Sequence, residues 1–405
     1  MREAWRDVAL GDIFQATNLR LGAHDDEPAV FSVTKYDGVV LAQDFFGKRI
    51  ASEKLDGYKV LHSGDWAYST IHIDEGSIAL NRQGRVGVVS PMYTTMQFRS
   101  AEALPDYCEL VLRSPKMLAR YSDVQQGSIN RRRSLPWKVF ATLTIPLPSL
   151  PEQRRIMDLI GAVDDAVRKG TEAAFRLEML WWRIADDLRV SVAGQPVKLL
   201  GAIADIGGGL TKNKKDIEHP DAVEAPYLRV ANVLRRRLDL RDVAMITAPV
   251  HRIEAARLMP GDVLMNEGGD KDKLGRGAVW RGAVKDCTHQ NHVFRVRVRD
   301  DRFSPEFLSA WANSFGQKWF ETHGTQTTGI ASINKSTLGR FPVPDIDLSE
   351  QQRWAELLQG VTDQEDEYRA QARRLQRLRS SLLDVLLSGE HEIPDSYDEL
   401  MGVAS

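Results

Sequence analysis

The chain has 405 residues, enough for two or three domains, and its 42% apolar and 27% charged residues are those of a soluble globular protein. No apolar run approaches a membrane span, and the opening Met1–Asp7 has no apolar stretch of the kind a signal peptide carries. Two cysteines, Cys108 and Cys287, cannot build a disulfide framework, so a reducing cytoplasm is the expected compartment. The net charge of −2 is unevenly spread: residues 204–345 hold 22 Lys and Arg against 18 Asp and Glu, residues 346–405 only 6 against 13. If this chain binds DNA tightly, basic partners are expected to help.

In chain order, the first globular stretch opens with Leu10-Gly-Asp-Ile13, passes a Gly64-Asp65 turn and a strand at Val86–Ser90, and ends in Ile145-Pro-Leu-Pro-Ser-Leu-Pro-Glu-Gln-Arg-Arg155. Pro146, Pro148 and Pro151 cannot sit inside a helix, so they close the globular part in extended backbone. Ser149 with Glu152 has the spacing of a capping box. A long helix is then predicted, with Ile156, Ile160, Val163, Val167, Gly170, Ala174, Leu177, Trp181, Ile184 and Leu188 at alternating steps of four and three.

The same order then recurs. Leu200-Gly-Ala-Ile203, Gly261-Asp262, a strand at Val293–Val298, Ala331-Ser-Ile-Asn334 (echoing Gly127-Ser-Ile-Asn130) and Phe341-Pro-Val-Pro-Asp-Ile-Asp-Leu-Ser-Glu-Gln-Gln-Arg353 repeat the first copy at offsets of 190 to 204. Ser349 with Gln352 repeats the capping-box spacing. A second seam follows at Trp354, Leu358, Val361, Glu365, Tyr368, Ala372, Leu375, Arg379, Leu382 and Leu386, in which Glu365 and Arg379 break the apolar pattern. This is a tandem duplication with diverged middles. The expected fold is α+β: two tandem globular modules of mixed α/β structure separated by two long helices that pair as an antiparallel coiled coil. The expected boundaries are 1–150 and 197–348 for the modules, 151–196 and 349–390 for the helices, and 391–405 for a tail.

Catalytic motifs are missing: no phosphate-binding Gly-x4-Gly-Lys loop, no Asn/Asp-Pro-Pro-aromatic tetrapeptide and no Gly-x-Ser-x-Gly elbow occurs. Pro105-Asp106 with Glu109 has the residue types of a nuclease carboxylate pair, but no Lys follows at the needed spacing. Cys287-Thr-His289-Gln-Asn-His292 is the one metal-like cluster. On an extended strand His292 would point away from Cys287 and His289, so no metal site is expected. The functional signal lies in basic, amide-rich loops: Asn130, Arg131, Arg132, Arg133 and Lys138; Lys212, Asn213, Lys214 and Lys215 after a Gly207-Gly-Gly209 turn; Arg229, Asn232 and Arg235; Lys271, Lys273 and Arg276; Gln290 and Asn291; Asn334 and Lys335. Lys and Arg reach phosphates and guanine edges, while Asn and Gln pair with adenine. A single such cluster is more often a solvated face than a DNA contact; their recurrence in two duplicated modules favours double-stranded DNA.

The Pro-Leu-Pro-Ser-Leu-Pro-Glu-Gln-Arg-Arg segment and its second-half counterpart, each leading into a long helix, resemble the specificity subunits of type I restriction–modification systems. So do Leu378-Arg-Ser-Ser-Leu-Leu-Asp-Val-Leu-Leu-Ser-Gly-Glu390, Leu258-Met-Pro-Gly-Asp-Val-Leu-Met-Asn266 and Leu274-Gly-Arg-Gly-Ala-Val279. The resemblance implies two target recognition domains reading a bipartite asymmetric DNA site, with the helices as spacer. It implies a non-catalytic chain on which two methyltransferase subunits dock, at helical and proline-bordered regions that include Glu152, Gln153, Glu350 and Gln351, and which restriction subunits join. S-adenosylmethionine, ATP and Mg belong to those partners. Two other readings remain at this stage: a DNA reader serving a methylation-only or other phage-defence complex, and a coiled-coil protein adaptor without DNA binding. Salt-sensitive duplex binding excludes the adaptor.

Overall fold

The computed structural model describes residues 5–23, 28–47, 54–127, 133–327, 330–391, 393–394 and 396–400. The chain divides into two compact units, residues 1–169 with 372–405, and residues 170–371. Both unit boundaries fall inside long helices, which run Leu150–Ser191 and Leu348–Ser388.

In the first unit, a four-stranded antiparallel sheet has the order Phe14–Thr17, Tyr93–Phe98, Trp66–Ser69, Ile78–Leu80. Strand Arg6–Ala9 pairs with Thr144–Leu147, the proline-bordered segment, which carries the chain from the sheet into the long helix. Two helices, Pro105–Leu112 and Pro115–Val124, start with Pro where a helix has no use for an amide donor. Their apolar faces join Trp66, Tyr68, Phe140 and Ile145 in one core, which also takes in Ile156 and Ile160 of the first long helix and Leu383, Leu386 and Leu387 of the second.

The second unit repeats this plan. Its sheet has the order Ala204–Gly207, Val293–Val298, Val263–Asn266, Gly277–Val279, and Val197–Leu199 pairs with Pro342–Pro344. Helices Pro305–Asn313 and Phe315–His323 pack on a core of Phe294, Phe307, Trp311, Phe320 and Phe341. Trp181, Ala185 and Leu188 of the first long helix and Ala355, Leu358 and Val361 of the second complete it. Within each unit the long helices run antiparallel. Arg379 Nη2 lies 3.0 Å from Asp164 Oδ2 in the first, and Arg369 Nη2 lies 3.0 Å from Glu178 Oε2 in the second.

The Gly-Asp echo is a matched turn. Gly64 and Gly261 have φ of 86° and 93°, a region that favours glycine. In both copies the following carboxylate accepts from the amide three residues back: His62 N to Asp65 at 3.1 Å, and Met259 N to Asp262 at 2.7 Å. The Ser-Ile-Asn echo is not part of the structural repeat. Leu10 N donates to Leu143 O, and Leu200 N donates to Phe341 O, an offset of 198 on the acceptor side. At that offset Asn334 corresponds to Pro136, and these two residues precede the matched short helices Lys335–Gly339 and Trp137–Phe140. The expected capping boxes are absent too. Glu152 Oε1 accepts from Ile393 N, and the second helix starts at Leu348, which places Ser349 inside its first turn.

The middles differ as their sequences do. The first unit inserts the hairpin Phe31–Thr34 with Gly38–Leu41 and the pair Lys59–Leu61 with Gly87–Val89, around a small core of their own. The second inserts a three-stranded sheet ordered Ala244–Pro249, Ala222–Leu228, Thr288–His289.

Both breaks in the second seam have partners. Glu365 is fully buried between Arg236, Arg237 and Arg369, at 3.0, 2.9 and 2.8 Å. Burial alone would raise its carboxyl, but the hydrogen bond from Arg237 and the charges of Arg236 and Arg369 bring it below its ordinary value. Arg379 pairs with Asp164. Tyr368, expected in the seam, is exposed instead.

Candidate nucleic-acid interface

In the second unit, main-chain hydrogen bonds draw five separate loops together. Leu210 N donates to His289 O at 2.8 Å, and Asn291 N to Leu210 O at 3.0 Å. Gln290 N donates to Leu228 O at 2.8 Å, and its side-chain Oε1 accepts from Val230 N at 3.2 Å. Glu267 N donates to His292 O at 3.0 Å, and Ile333 N donates to Glu267 O at 2.9 Å. The Gly207-Gly-Gly209 turn makes the first of these contacts possible, because a Cβ on Gly209 would lie 2.0 Å from His289 O. The basic segments 211–215 and 271–276, the amides 290–291 and the pair 334–335 therefore extend from one hydrogen-bonded frame.

Of the residues singled out in the sequence, Lys212, Asn213, Lys214, Lys215, Lys271, Asn334 and Lys335 are exposed. Asn213 and Asn334 cap short helices by accepting from Lys215 N and Thr337 N. Gln290 and Asn291 are half-buried, and Lys273 pairs with Asp270. Others are turned inward. Asn232 is buried, its amide bonded to Asp239 O, Asp242 O and Arg229 N. Arg229 pairs with Asp242 at 2.7 Å. Arg235 donates to Asn313 O and Asp272 O, and burial lowers its pKa; burial lowers that of half-buried Arg276 also. Asn232, Arg229 and Arg235 act first as struts of the frame.

The Cys287–His292 segment is internal at its start. His289 is fully buried, with Nδ1 2.7 Å from Val293 O, and burial brings its pKa down to about 4. Burial pushes the Cys287 thiol up to about 12. His292 pairs with Glu267 instead. Among the described residues no group of three or more His, Cys, Asp or Glu could hold a metal. Asp106 and Glu109 in the first unit hold Arg82.

In the first unit, Asn130, Arg131 and Arg132 lie outside the described residues. On either side of them Gln126 and Ser134 are joined by paired bonds, both 2.9 Å. Arg133 turns back to Ser122 O at 2.7 Å, and Lys138 is exposed. The registers Thr17↔Thr95 and Gly207↔Arg295 match the two sheets position by position. They place Asn18, Leu19 and Arg20 where the second unit has Gly208–Leu210, and Ser90–Met92 where it has Gln290–His292. Leu19 and Met92 are 56% and 53% exposed there. Neither charge nor amide content marks these positions; their place in the repeat does, 190 residues before Gly209 and 200 before His292.

The four residues expected to bind partners behave differently. Gln153 and Gln351 are fully buried staples. Gln153 Oε1 accepts from Leu104 N, and its Nε2 donates to Glu102 O and Pro148 O, each at 2.8 Å. Gln351 does the same with Ser304 N, Arg302 O and Ile346 O at 2.8 to 2.9 Å. Each fastens the start of a long helix to its own module, so neither side chain is free for a partner. Glu152 is buried and Glu350 half-buried.

No protein-family profile matches the chain. It is 23% identical over 155 residues to the putative type I restriction enzyme MjaX specificity subunit of Methanocaldococcus jannaschii, covering 38% of this chain and 36% of that protein. It is 24% identical over 180 residues to the type I restriction enzyme HindI specificity subunit of Haemophilus influenzae, covering 44% and 39%. The matches thus span under two fifths of these relatives' lengths. A solved structure reported as the basis of complex assembly and conformational transition of the type I R-M system aligns over 96% of this chain and 98% of its own, at 20% identity and a TM-score of 0.60. The type I restriction–modification S subunit from M. genitalium aligns over 95% and 96%, at 11% identity and a TM-score of 0.54. The duplicated modules and paired long helices are the fold of type I S subunits. In sequence, too, the chain is similar to the specificity subunits of type I restriction enzymes. No helix among the described residues is long and apolar enough to cross a membrane.

Proposed function

We propose that this chain is the DNA-reading specificity subunit of a type I restriction–modification complex. Each module reads one part of a bipartite, asymmetric duplex site. Two methyltransferase subunits dock on the chain, and restriction subunits join them; S-adenosylmethionine, ATP and Mg are bound by those partners. The chain itself is non-catalytic and works in the cytoplasm.

One observation carries this reading. The frame is held to the atom in both units, in the Gly-Asp turns and the Gln staples, while the loops and inserts it carries have diverged. Two readers of two different half-sites need that combination of common scaffold and private loops. Exposed lysines supply phosphate contacts, and Gln290 and Asn291 supply amides at a base-edge position. The test is methylome sequencing of cells with and without the gene. The expected result is adenine methylation at one split motif that disappears with the gene, together with no methylation or cleavage by the purified chain alone.

A further inference from the structure

The duplication leaves one surface covered in the first unit and open in the second. In the first unit, residues 393–394 and the short helix Ser396–Leu400 lie against the start of the first long helix. Ile393 N donates to Glu152 Oε1 at 3.1 Å. Arg155 grips Asp398 through Nε at 2.9 Å and Nη2 at 2.6 Å, and donates from Nη1 to Ile393 O at 3.3 Å. Ile393 is buried in the core that holds Ile156 and Ile160, and Tyr397 and Leu159 pack against that core.

At the offset of 198 fixed by Gln153 and Gln351, the counterparts of Glu152, Arg155 and Leu159 are Glu350, Arg353 and Leu357. Glu350 is only half-buried. Arg353 is exposed and forms no ion pair among the described residues; its guanidinium lies over the Trp354 ring, 5.8 Å from the centroid. Leu357 is 47% exposed. The second unit therefore keeps the acceptor, the cation and the apolar floor of the first, and no described residue forms an ion pair with Arg353 or a hydrogen bond to the Glu350 side chain.

We propose that Glu350, Arg353 and Leu357 form a docking site for a segment of a partner protein with the chemistry of this chain's own tail. That segment carries a large apolar residue whose amide donates to Glu350, followed about five positions later by a carboxylate for Arg353. The tail seated on the equivalent residues is the template for the occupant, and the unpaired cation sets its charge. The first unit satisfies the same surface from within, so one such site is open per chain. The inference does not depend on DNA reading, and its failure would leave that reading untouched.

The test uses the full chain and a fluorescein-labelled peptide of residues 389–400, followed by anisotropy. Binding at one site is expected, weakened at least tenfold by Arg353→Glu and by Leu357→Asp, with unchanged circular dichroism. A peptide carrying Asp398→Arg should bind the wild-type chain poorly and recover binding to the Arg353→Glu chain, a swap that misfolding cannot imitate. No binding at millimolar peptide, or binding indifferent to Arg353→Glu but lost with Arg155→Glu, overturns the proposal. Self-association of the full chain that Arg353→Glu abolishes overturns the choice of partner, since the occupant is then a second copy.

Discussion

Gln153 and Gln351 each satisfy three main-chain groups with one side-chain amide, and all three would be stranded by an apolar replacement. Gln351→Leu should therefore cost on the order of 2–4 kcal/mol, read as a lower urea midpoint, with the recognised DNA motif unchanged. His289 gives a pH signature. Its folded pKa of about 4 lies below the ordinary 6.5, so between those values the unfolded chain binds the extra proton. Stability should fall as the pH drops from about 6.5 towards 4, and His289→Leu should flatten that part of the unfolding profile. At the proposed DNA face, replacing Lys212, Lys214 and Lys215 by Ala should weaken duplex binding and reduce the salt slope by about 2–3 if all three meet phosphate. An unchanged slope would assign them to solvent. By contrast, Arg235→Ala should first lower stability, because that side chain braces two loops. Charge and residue type identified these loops correctly as polar, but not which cations face inward, because that depends on carbonyls supplied by distant segments such as Asn313 and Asp272.

The long helices were the most legible elements, since a step of four and three over ten positions has one physical reading. The two seam breaks were visible as exceptions without a reason. The reason for Glu365 is a pair of arginines from the loop 235–237, which local sequence cannot point to. Removing that carboxylate would leave the enclosed Arg236 without its ion-pair partner and Arg237 with Asp366 alone. Glu365→Ala should destabilise the second unit by about 3–5 kcal/mol, measured by unfolding, while Asp164→Ala, at an exposed pair, should cost under about 1 kcal/mol. The Glu-Gln segments were legible as a repeated signal, but not the buried fastening that Gln153 and Gln351 perform. A glutamine at the start of a helix looks like surface until the strand and helix it fastens are in place. The capping boxes failed for a related reason: Glu152 is claimed by Ile393, some 240 residues away in sequence.

Across the molecule, the conserved frame and private loops make the modules exchangeable under the proposed function. Replacing residues 1–145 with the corresponding module of a similar subunit should change one half of the methylated motif and leave the other intact. Both halves changing together would sink the two-reader account. The duplication itself was legible from the proline-bordered ends and the Gly-Asp turns. Its register was less so: the Ser-Ile-Asn echo suggested an offset of 204, whereas the matched Leu143 and Phe341 acceptors and the helix starts set it at 198 in that part of the chain.

The division of the chain has a consequence for its synthesis. The first unit is built from residues 1–169 and 372–405, so the part made earlier cannot be finished until the short segment 372–405 has left the ribosome. Ile156 and Ile160 share a core with Leu383, Leu386 and Ile393. At ~5–20 residues per second, the roughly 200 intervening residues take on the order of 10–40 s to translate. During that interval the nascent chain carries an unfinished hydrophobic surface, while the second unit, drawn from the continuous stretch 170–371, has all its parts first. The order of maturation is therefore the reverse of the order of translation.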